Sequence, residues 1–247
     1  MDCSGLRALL SVSVWRSTSL GSLVMVSAAL SLIAAPQALA QIPAPFVEHF
    51  ADNSAGWLLG PEWQIGPATA GSPPAAGNPD PALDFTPGPD NGIAGMIIGG
   101  NVSTSLHPYY YLESPAVDTT AIATVELRFR RWLNADYLAY MQSDVEVWNG
   151  FDWVVIWQTE GEPNVFDATW TLQTFDITAH SNSQLRVRFG LRVGAAGAFS
   201  VSGWNLDDVE IVGGTPSVTS PTSALITATG ATPVSYTHLT LPTNREV

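Results

Sequence analysis

The chain has 247 residues, a formal net charge of −13 at pH 7 and a sequence pI of about 4.4. All of its basic residues are arginines, and its single cysteine is Cys3. This composition argues against binding of nucleic acid or anionic lipid, because no basic surface is available to neutralise phosphates. An acidic chain of this kind instead suits divalent cations, which take carboxylate and carbonyl oxygens as ligands.

Residues 1–40 are typical of a secretory signal peptide. Arg7 and Arg16 accompany an apolar run, and small residues at positions 38–40 form a cleavage pattern. We therefore expect a mature chain that begins at Gln41, no membrane insertion after cleavage, and a secreted or cell-surface location. Cys3 lies inside the signal, so we expect the mature chain to form no disulfide.

Residues 41–213 predict an all-β domain. Short alternating or apolar runs, bounded by Gly, Pro, Asn and Asp, are typical of strands. In chain order they are PFVEHF, GWLLGPEWQIG, GMIIGGNV, YYYLESPAV, TVELRFRRWL, SDVEVWNG, DWVVIWQTE, WTLQTFDIT, QLRVRFGLRV and WNLDDVEIV. Their connections are too short for crossover helices, which predicts an antiparallel β-sandwich.

Three stretches depart from this strand pattern. Residues 66–92 form a long loop rich in Pro and Gly, and loops of this length are usually functional or disordered. Residues 214–233 are rich in Thr, Ser and Pro, which predicts a linker or the start of a truncated region. Residues 234–247 resemble a translated sequencing adapter, so we assign them no function.

Strand alternation predicts which side chains share a face. In QLRVRFGLRV it puts the apolar residues on one face and the arginines largely on the other. In DWVVIWQTE it puts Trp153, Val155 and Trp157 on the same face. Both faces of this second strand are apolar, so we expect it to be a central strand of its sheet.

The last predicted strand contains two adjacent aspartates, Asp207 and Asp208, although Asp is depleted in strands. Since successive side chains point to opposite faces, we expect Asp207 to face inward beside Val209 and Ile211. Asp208 should then face the other way, with Leu206. A buried carboxylate in a strand needs hydrogen-bond donors or a cation.

An ordered set of landmarks resembles a known family. FVEHF, GW, SPAVD, VEVWNGFDWVVIWQ, LRVRFGLRV and GWNLDDVEI, in that order, resemble the MAM-like and cleaved-adhesin-like jelly-roll domains of secreted bacterial proteins. The resemblance covers about residues 45–212. It implies a jelly-roll β-sandwich that binds carbohydrate or protein partners and often holds a structural calcium ion. The chain lacks the disulfides of animal MAM domains, which puts their oligomerising adhesion role in doubt.

A calcium site is predicted at the final strand. The first and last strands of a jelly roll are commonly adjacent, which would bring Glu48 towards the aspartate pair, and nearby carboxylates repel unless a cation lies between them. Calcium takes six to eight oxygens, so further acids are needed. The predicted metal residues are Glu48, Asp52, Asp84, Asp90, Asp207 and Asp208. The alternative is that the inward aspartate accepts hydrogen bonds from backbone amides while its neighbour is solvated.

Aromatic residues are the candidates for ligand binding, because an exposed ring can stack on a sugar. Most of the aromatics suit core packing better, and the four tyrosines near predicted loops are the stronger candidates: Tyr109, Tyr110, Tyr137 and Tyr140. No catalytic residue is predicted, because the chain has neither a His-Glu-x-x-His nor a Gly-x-Ser-x-Gly pattern.

The sequence therefore predicts a secreted, non-enzymatic β-sandwich module. Its expected partners are a glycan or an extracellular protein, with calcium as the only expected cofactor. Three alternatives stay open: an accessory domain of a larger secreted peptidase or glycosidase, a purely structural module of a surface protein, and a glycoside-active enzyme on a sandwich fold.

Overall fold

The computed structural model describes residues 41–161 and 163–214, so the predicted signal segment, linker and tail lie outside the described residues. The described chain consists of strands, loops and a 3₁₀ turn at Thr178–His180. Its strands are β1 Ile42–Pro43, β2 Phe46–Glu48, β3 Leu58–Leu59, β4 Trp63–Pro67, β5 Gly92–Met96, β6 His107–Glu113, β7 Val117–Asp118, β8 Val125–Ala135, β9 Met141–Trp148, β10 Trp153–Gln158, β11 Val165–Phe166, β12 Thr171–Asp176, β13 Arg186–Val193 and β14 Gly203–Gly213. No helix within these residues is long and apolar enough to cross a membrane.

Two antiparallel sheets form the sandwich, and β1 and β7 make a separate two-stranded parallel sheet. The five-stranded sheet has the order β10-β9-β13-β6-β3. The seven-stranded sheet has the order β11-β8-β14-β5-β4, with β12 paired to β8 and β2 paired to β14. Among the described strands, the chain crosses directly from one sheet to the other at seven connections: β2–β3, β3–β4, β5–β6, β8–β9, β10–β11, β12–β13 and β13–β14. The predicted antiparallel jelly-roll β-sandwich is therefore confirmed.

Aromatic side chains hold the two sheets together. Phe129 of β8 meets Phe189 of β13 edge to face, with 4.9 Å between ring centroids. Trp204 of β14 is fully buried and contacts both Phe189 and Trp157 of the opposite sheet, at 5.9 and 5.8 Å. Burying one side chain of this kind stabilises the fold by roughly 1.5–3 kcal/mol.

The predicted alternation is confirmed in β13 and fails in β10. The apolar side chains of β13 are buried, while its arginines lie on the outer face. In β10 the pairing register with β9 shifts between Val155 and Trp157. This bulge turns the Trp157 ring into the core against Trp204, so the expectation that Trp153 and Trp157 share a face is wrong. β10 also lies at the edge of its sheet rather than at the centre.

A second bulge changes the orientation of the aspartate pair in β14. The register with β8 shifts between Asp207 and Glu210, and Asp208 has a positive φ of 48°. An extra residue in one strand resets the alternation, so Leu206 and Val209 both join the core although they are three residues apart. Asp207 consequently points to the outer side of the sheet, and the expectation that it faces inward beside Val209 is wrong.

The long Pro/Gly-rich loop, residues 68–91, covers part of the outer face of the seven-stranded sheet, and Leu172 of β12 stays 53% exposed. Asp80 accepts a 2.6 Å hydrogen bond from the Asn205 amide of β14, and Trp132 of β8 donates its indole N–H to the Pro79 carbonyl at 3.1 Å. The side-chain hydrogen bonds on the outer face of the five-stranded sheet run instead among its own strands. Of the two outer faces, the five-stranded one is therefore the face left without a covering loop in the described residues.

Candidate functional site

We call the outer face of the five-stranded sheet the aromatic–arginine face. It is built by side chains that alternate outward along four neighbouring strands. They are Tyr109, Tyr111 and Glu113 of β6, Arg186, Arg188 and Arg192 of β13, Gln142, Asp144, Glu146 and Trp148 of β9, and Trp153, Val155 and Gln158 of β10. Cross-strand neighbours of this kind lie close enough to interact directly.

The centre of this face is a stack around Arg188. Its guanidinium carbon lies 3.8 Å from the ring centroid of Tyr111 and 4.2 Å from that of Trp153. The Nε and Nη2 groups of Arg188 donate to Glu146 Oε2 at 2.9 and 2.5 Å, and the Tyr111 hydroxyl donates to Glu146 Oε1 at 2.8 Å. Charge-assisted hydrogen bonds and cation–π contacts thus fix these four side chains in one arrangement.

A second guanidinium extends the stack towards the β9–β10 hairpin. Arg186 lies 5.2 Å from the ring of Trp148 and 5.4 Å from that of Trp153, and it forms an ion pair with Glu113. The two tryptophan rings are 5.7 Å apart. The face is therefore a ladder of alternating aromatic and guanidinium groups, not a patch of separate side chains.

Asp144 lies beneath this ladder, beside the one position where β13 has no side chain. A Cβ on Gly190 would come within 2.5 Å of Tyr111 Cε1 and 2.6 Å of Asp144 Oδ1. Asp144 is 2% exposed, and its Oδ1 has no hydrogen-bond partner. Burial raises the pKa of Asp144 to about 6, against a lowering by its hydrogen bond with Tyr109. A buried carboxylate oxygen without a hydrogen-bond partner costs free energy.

The four predicted ligand tyrosines do not form one site. Tyr109 lies on the aromatic–arginine face, where its ring stacks on Tyr111 at 5.3 Å. Tyr110 packs against the core and stacks on a histidine of its own strand. Tyr137 and Tyr140 form an edge-to-face pair at 5.2 Å in the connection between β8 and β9. The alternation along β6, with the arginines of β13, is the sequence signal that could have pointed to Tyr111 instead.

The candidate metal residues lie at β14, on the side covered by the long loop. His49 Nδ1 is 2.7 Å from Asp208 Oδ1, and ligand atoms of His49, Asp207 and Asp208 all lie within 4.8 Å of one another. The Thr86 hydroxyl donates to Asp208 at 2.8 Å. The structure thus adds a histidine and a threonine to the predicted aspartate pair.

Asp207 accepts hydrogen bonds from backbone amides, as the alternative to a calcium site requires. Asp207 is 1% exposed and accepts hydrogen bonds from the backbone amides of Phe85, Thr86 and Asp208, at 2.8, 3.2 and 2.7 Å. Burial raises the pKa of Asp207 to about 6, and the charge of Asp208 adds to the increase. The amides of Phe85 and Thr86 tie the long loop to β14.

Glu48 lies beside β14 as predicted, because it pairs with Val209. Its two carboxylate oxygens, however, accept hydrogen bonds from the Phe50 amide at 2.8 Å and the Trp57 indole at 3.1 Å. In this arrangement both oxygens of Glu48 already have protein donors. His49, the next residue, is the one that faces Asp208.

The other predicted metal residues divide between two places. Burial raises the pKa of Asp84, and the nearby charges of Asp90 and Asp208 contribute, so these acids lie near one another. Asp52 instead accepts a 2.7 Å hydrogen bond from the Ser54 amide in its own turn. Two carboxylates and an imidazole supply fewer oxygens than calcium requires, and Asp84, Asp90 or backbone carbonyls would have to complete the shell. Calcium here stays a prediction.

Chelation tests this prediction. If calcium bridges Asp207 and Asp208, exhaustive EDTA treatment lowers the thermal unfolding midpoint, because the two carboxylates then repel without a cation. At a calcium concentration of 100 times the Kd, the ion would stabilise the fold by about 2.7 kcal/mol. Asp208→Asn is the matched variant and should abolish the calcium response. A midpoint that EDTA and added calcium leave unchanged contradicts the site.

Comparisons with known proteins give remote matches among solved structures. No protein-family model matches the chain, and no curated protein matches it. The C-terminal CBM6 of LamC from Zobellia galactanivorans is 13% identical with a TM-score of 0.35, over 68% of this chain and 98% of that one. The K3 cleaved adhesin domain of Lys-gingipain from Porphyromonas gingivalis is 16% identical with a TM-score of 0.33, over 62% and 92%.

A third solved structure is longer than this chain. SGBP-B, from a complex xyloglucan utilization locus in Bacteroides uniformis, is 13% identical with a TM-score of 0.42, over 68% of this chain and 49% of that one. This chain therefore spans about half of that protein. The strand pairing described above, rather than any of these alignments, defines the fold here, and the MAM-like resemblance stays a prediction.

Proposed function

We propose that this chain is a secreted, non-enzymatic module that binds a glycan on the aromatic–arginine face. The observation that carries the proposal is the difference between the two outer faces. Residues 68–91 cover part of the seven-stranded sheet, whereas the side chains of the five-stranded sheet bond among themselves and stay partly exposed. The five-stranded sheet therefore offers a partner a face that this loop does not cover.

The chemistry of this face suits a sugar. Sugar hydroxyls donate and accept hydrogen bonds, and the face offers guanidinium and amide donors together with carboxylate and amide acceptors. The aromatic rings add apolar surface with polar edges, which an amphipathic sugar ring can contact. Val155, which is 48% exposed, adds an aliphatic side chain to this apolar surface.

The face is also preorganised. Arg188 is held by Glu146 and by two rings, and Glu146 is held by Tyr111. Side chains that are already fixed lose little conformational entropy when a ligand binds, so more of the interaction free energy appears as affinity. The same face would serve equally in an accessory domain of a larger hydrolase, whereas a purely structural module would bind nothing there.

Removal of one ring tests the proposal. The purified protein is screened on a glycan array, and its affinity for the best ligand is measured by titration calorimetry. We expect Trp153→Ala to weaken binding about tenfold, or ~1.4 kcal/mol, because it removes a ring at the centre of the face.

Leu172→Ala is the matched control, because Leu172 is 53% exposed on β12 of the other sheet and should leave binding unchanged. The thermal midpoint of each variant is measured so that loss of fold is not mistaken for loss of binding. The proposal fails if no glycan binds, or if folded Trp153→Ala binds as the unchanged protein does.

A further inference from the structure

The three guanidiniums of the aromatic–arginine face differ in their partners. Arg186 pairs with Glu113, and Arg188 pairs with Glu146. Arg192 has no carboxylate within ion-pair distance among residues 41–161 and 163–214, and it is exposed. Arg192 interacts electrostatically with the buried carboxylate of Asp144, but its exposed guanidinium forms no ion pair among the described residues and is left for a partner.

Arg192 is nevertheless held in a defined orientation. Its Nε and Nη2 groups donate to Gln142 Oε1 at 3.0 and 2.6 Å, and the Gln142 amide donates to Gln158 Oε1 at 3.2 Å. A guanidinium has five N–H donors, and two of them are used in this way. Both Nη1 hydrogens and the second Nη2 hydrogen remain. One hydrogen of each nitrogen lies on the Nη1–Nη2 edge, which can form a bidentate pair with a carboxylate.

The surroundings of Arg192 combine this charge with an aromatic ring. Its guanidinium carbon lies 5.3 Å from the Tyr109 ring centroid. The charge of Arg192 acts on the carboxylate of Asp144, but Asp144 is 2% exposed beneath the face and out of a ligand's reach. An anionic group at Arg192 would accept hydrogen bonds from a guanidinium held in one orientation. The rest of its sugar would contact the Tyr109 ring.

We propose that the glycan bound by this module is acidic, and that Arg192 binds the carboxylate of a uronic acid residue. This inference rests on the proposed function and names the ligand class of the same face. The chain's net charge of −13 gives no long-range attraction for an anion, so recognition depends on this short-range contact. Sugar hydroxyls reach the neighbouring amides of Gln142 and Gln158.

The test titrates an oligogalacturonate and an oligomannuronate, each alongside its own methyl ester. The ester keeps the sugar chain and removes the charge. We expect at least one of these free acids to bind about tenfold more tightly than its ester. Arg192→Gln should remove this preference, and Arg192→Lys should keep part of it. Arg128→Gln, which makes the same charge change on β8 of the other sheet, should have no effect.

Three outcomes separate the two proposals. A preference for the free acid that Arg192→Gln removes and Arg128→Gln leaves intact supports this inference. Equal binding of acid and ester, binding of neutral glycans alone, or a preference that survives Arg192→Gln overturns it and leaves glycan binding on the face standing. If no glycan of either kind binds, the proposed function and this inference both fail.

Discussion

Arg188→Met is expected to lower the free energy of unfolding by about 3–5 kcal/mol, the range found when one partner of a buried ion pair is removed. Glu146 has a side chain that is 7% exposed, and Arg188 provides two of its hydrogen bonds. Among the described residues, the variant leaves this carboxylate with the Tyr111 hydroxyl as its hydrogen-bond donor. It also removes the cation that lies between Tyr111 and Trp153.

Chemical denaturation at pH 7 measures the effect. Arg188→Met with Glu146→Leu should regain much of the lost stability, since no charge is then left buried without a partner. Arg192→Met is the matched single control and should cost less than about 1 kcal/mol, because Arg192 is exposed and bonds to a neutral amide. A cost at position 188 as small as that at position 192 would contradict the central role of the stack.

Gly190→Ala is expected to destabilise the protein by about 1–3 kcal/mol, the usual range for overpacking a tightly packed site. The new Cβ would lie 2.5 Å from Tyr111 Cε1 and 2.6 Å from Asp144 Oδ1. The Tyr111 ring cannot move aside freely, because its hydroxyl bonds to Glu146. Glycan affinity should fall as well, since the ring and the guanidinium stacked on it are displaced together.

The sign of the effect distinguishes this explanation from strand propensity. Alanine normally stabilises a strand interior relative to glycine, by roughly 0.5–1 kcal/mol. Gly66→Ala in β4 is the matched control, because a Cβ there would have no atom within 4 Å, and we expect it to be neutral or slightly stabilising. Thermal unfolding of both variants gives the comparison. Equal midpoints for the two would show that Gly190 is not required by close packing.

Much of the fold could be predicted from local pattern. The apolar alternation of β13, its arginines on the opposite face and the short Gly- and Asn-rich turns predict an antiparallel sandwich, because each is a property of neighbouring residues. The resemblance to jelly-roll domains also predicts that the first strands lie beside the last, and Glu48 does lie beside β14.

The candidate site could be predicted only in part. Tyr109 was selected from the sequence and lies on the aromatic–arginine face, but Tyr110 is its neighbour on the opposite side of the same strand. Tyr111, Trp148 and Trp153 were not singled out, because their partners are arginines on another strand. A cation–π contact between strands has no counterpart in the spacing of either strand alone.

Most strands, the alternation within β13 and the acidic, lysine-free composition can be derived from the sequence, since these follow from local composition and period. The places where the alternation is reset become visible only when the strands pair. The bulges at Asp207 and Trp157 depend on the register with β8 and β9, and a shift of one residue there moves a side chain to the other face. The long loop likewise lies on the seven-stranded sheet because of hydrogen bonds to residues more than 50 positions away. The outer face of the five-stranded sheet is therefore left without this loop.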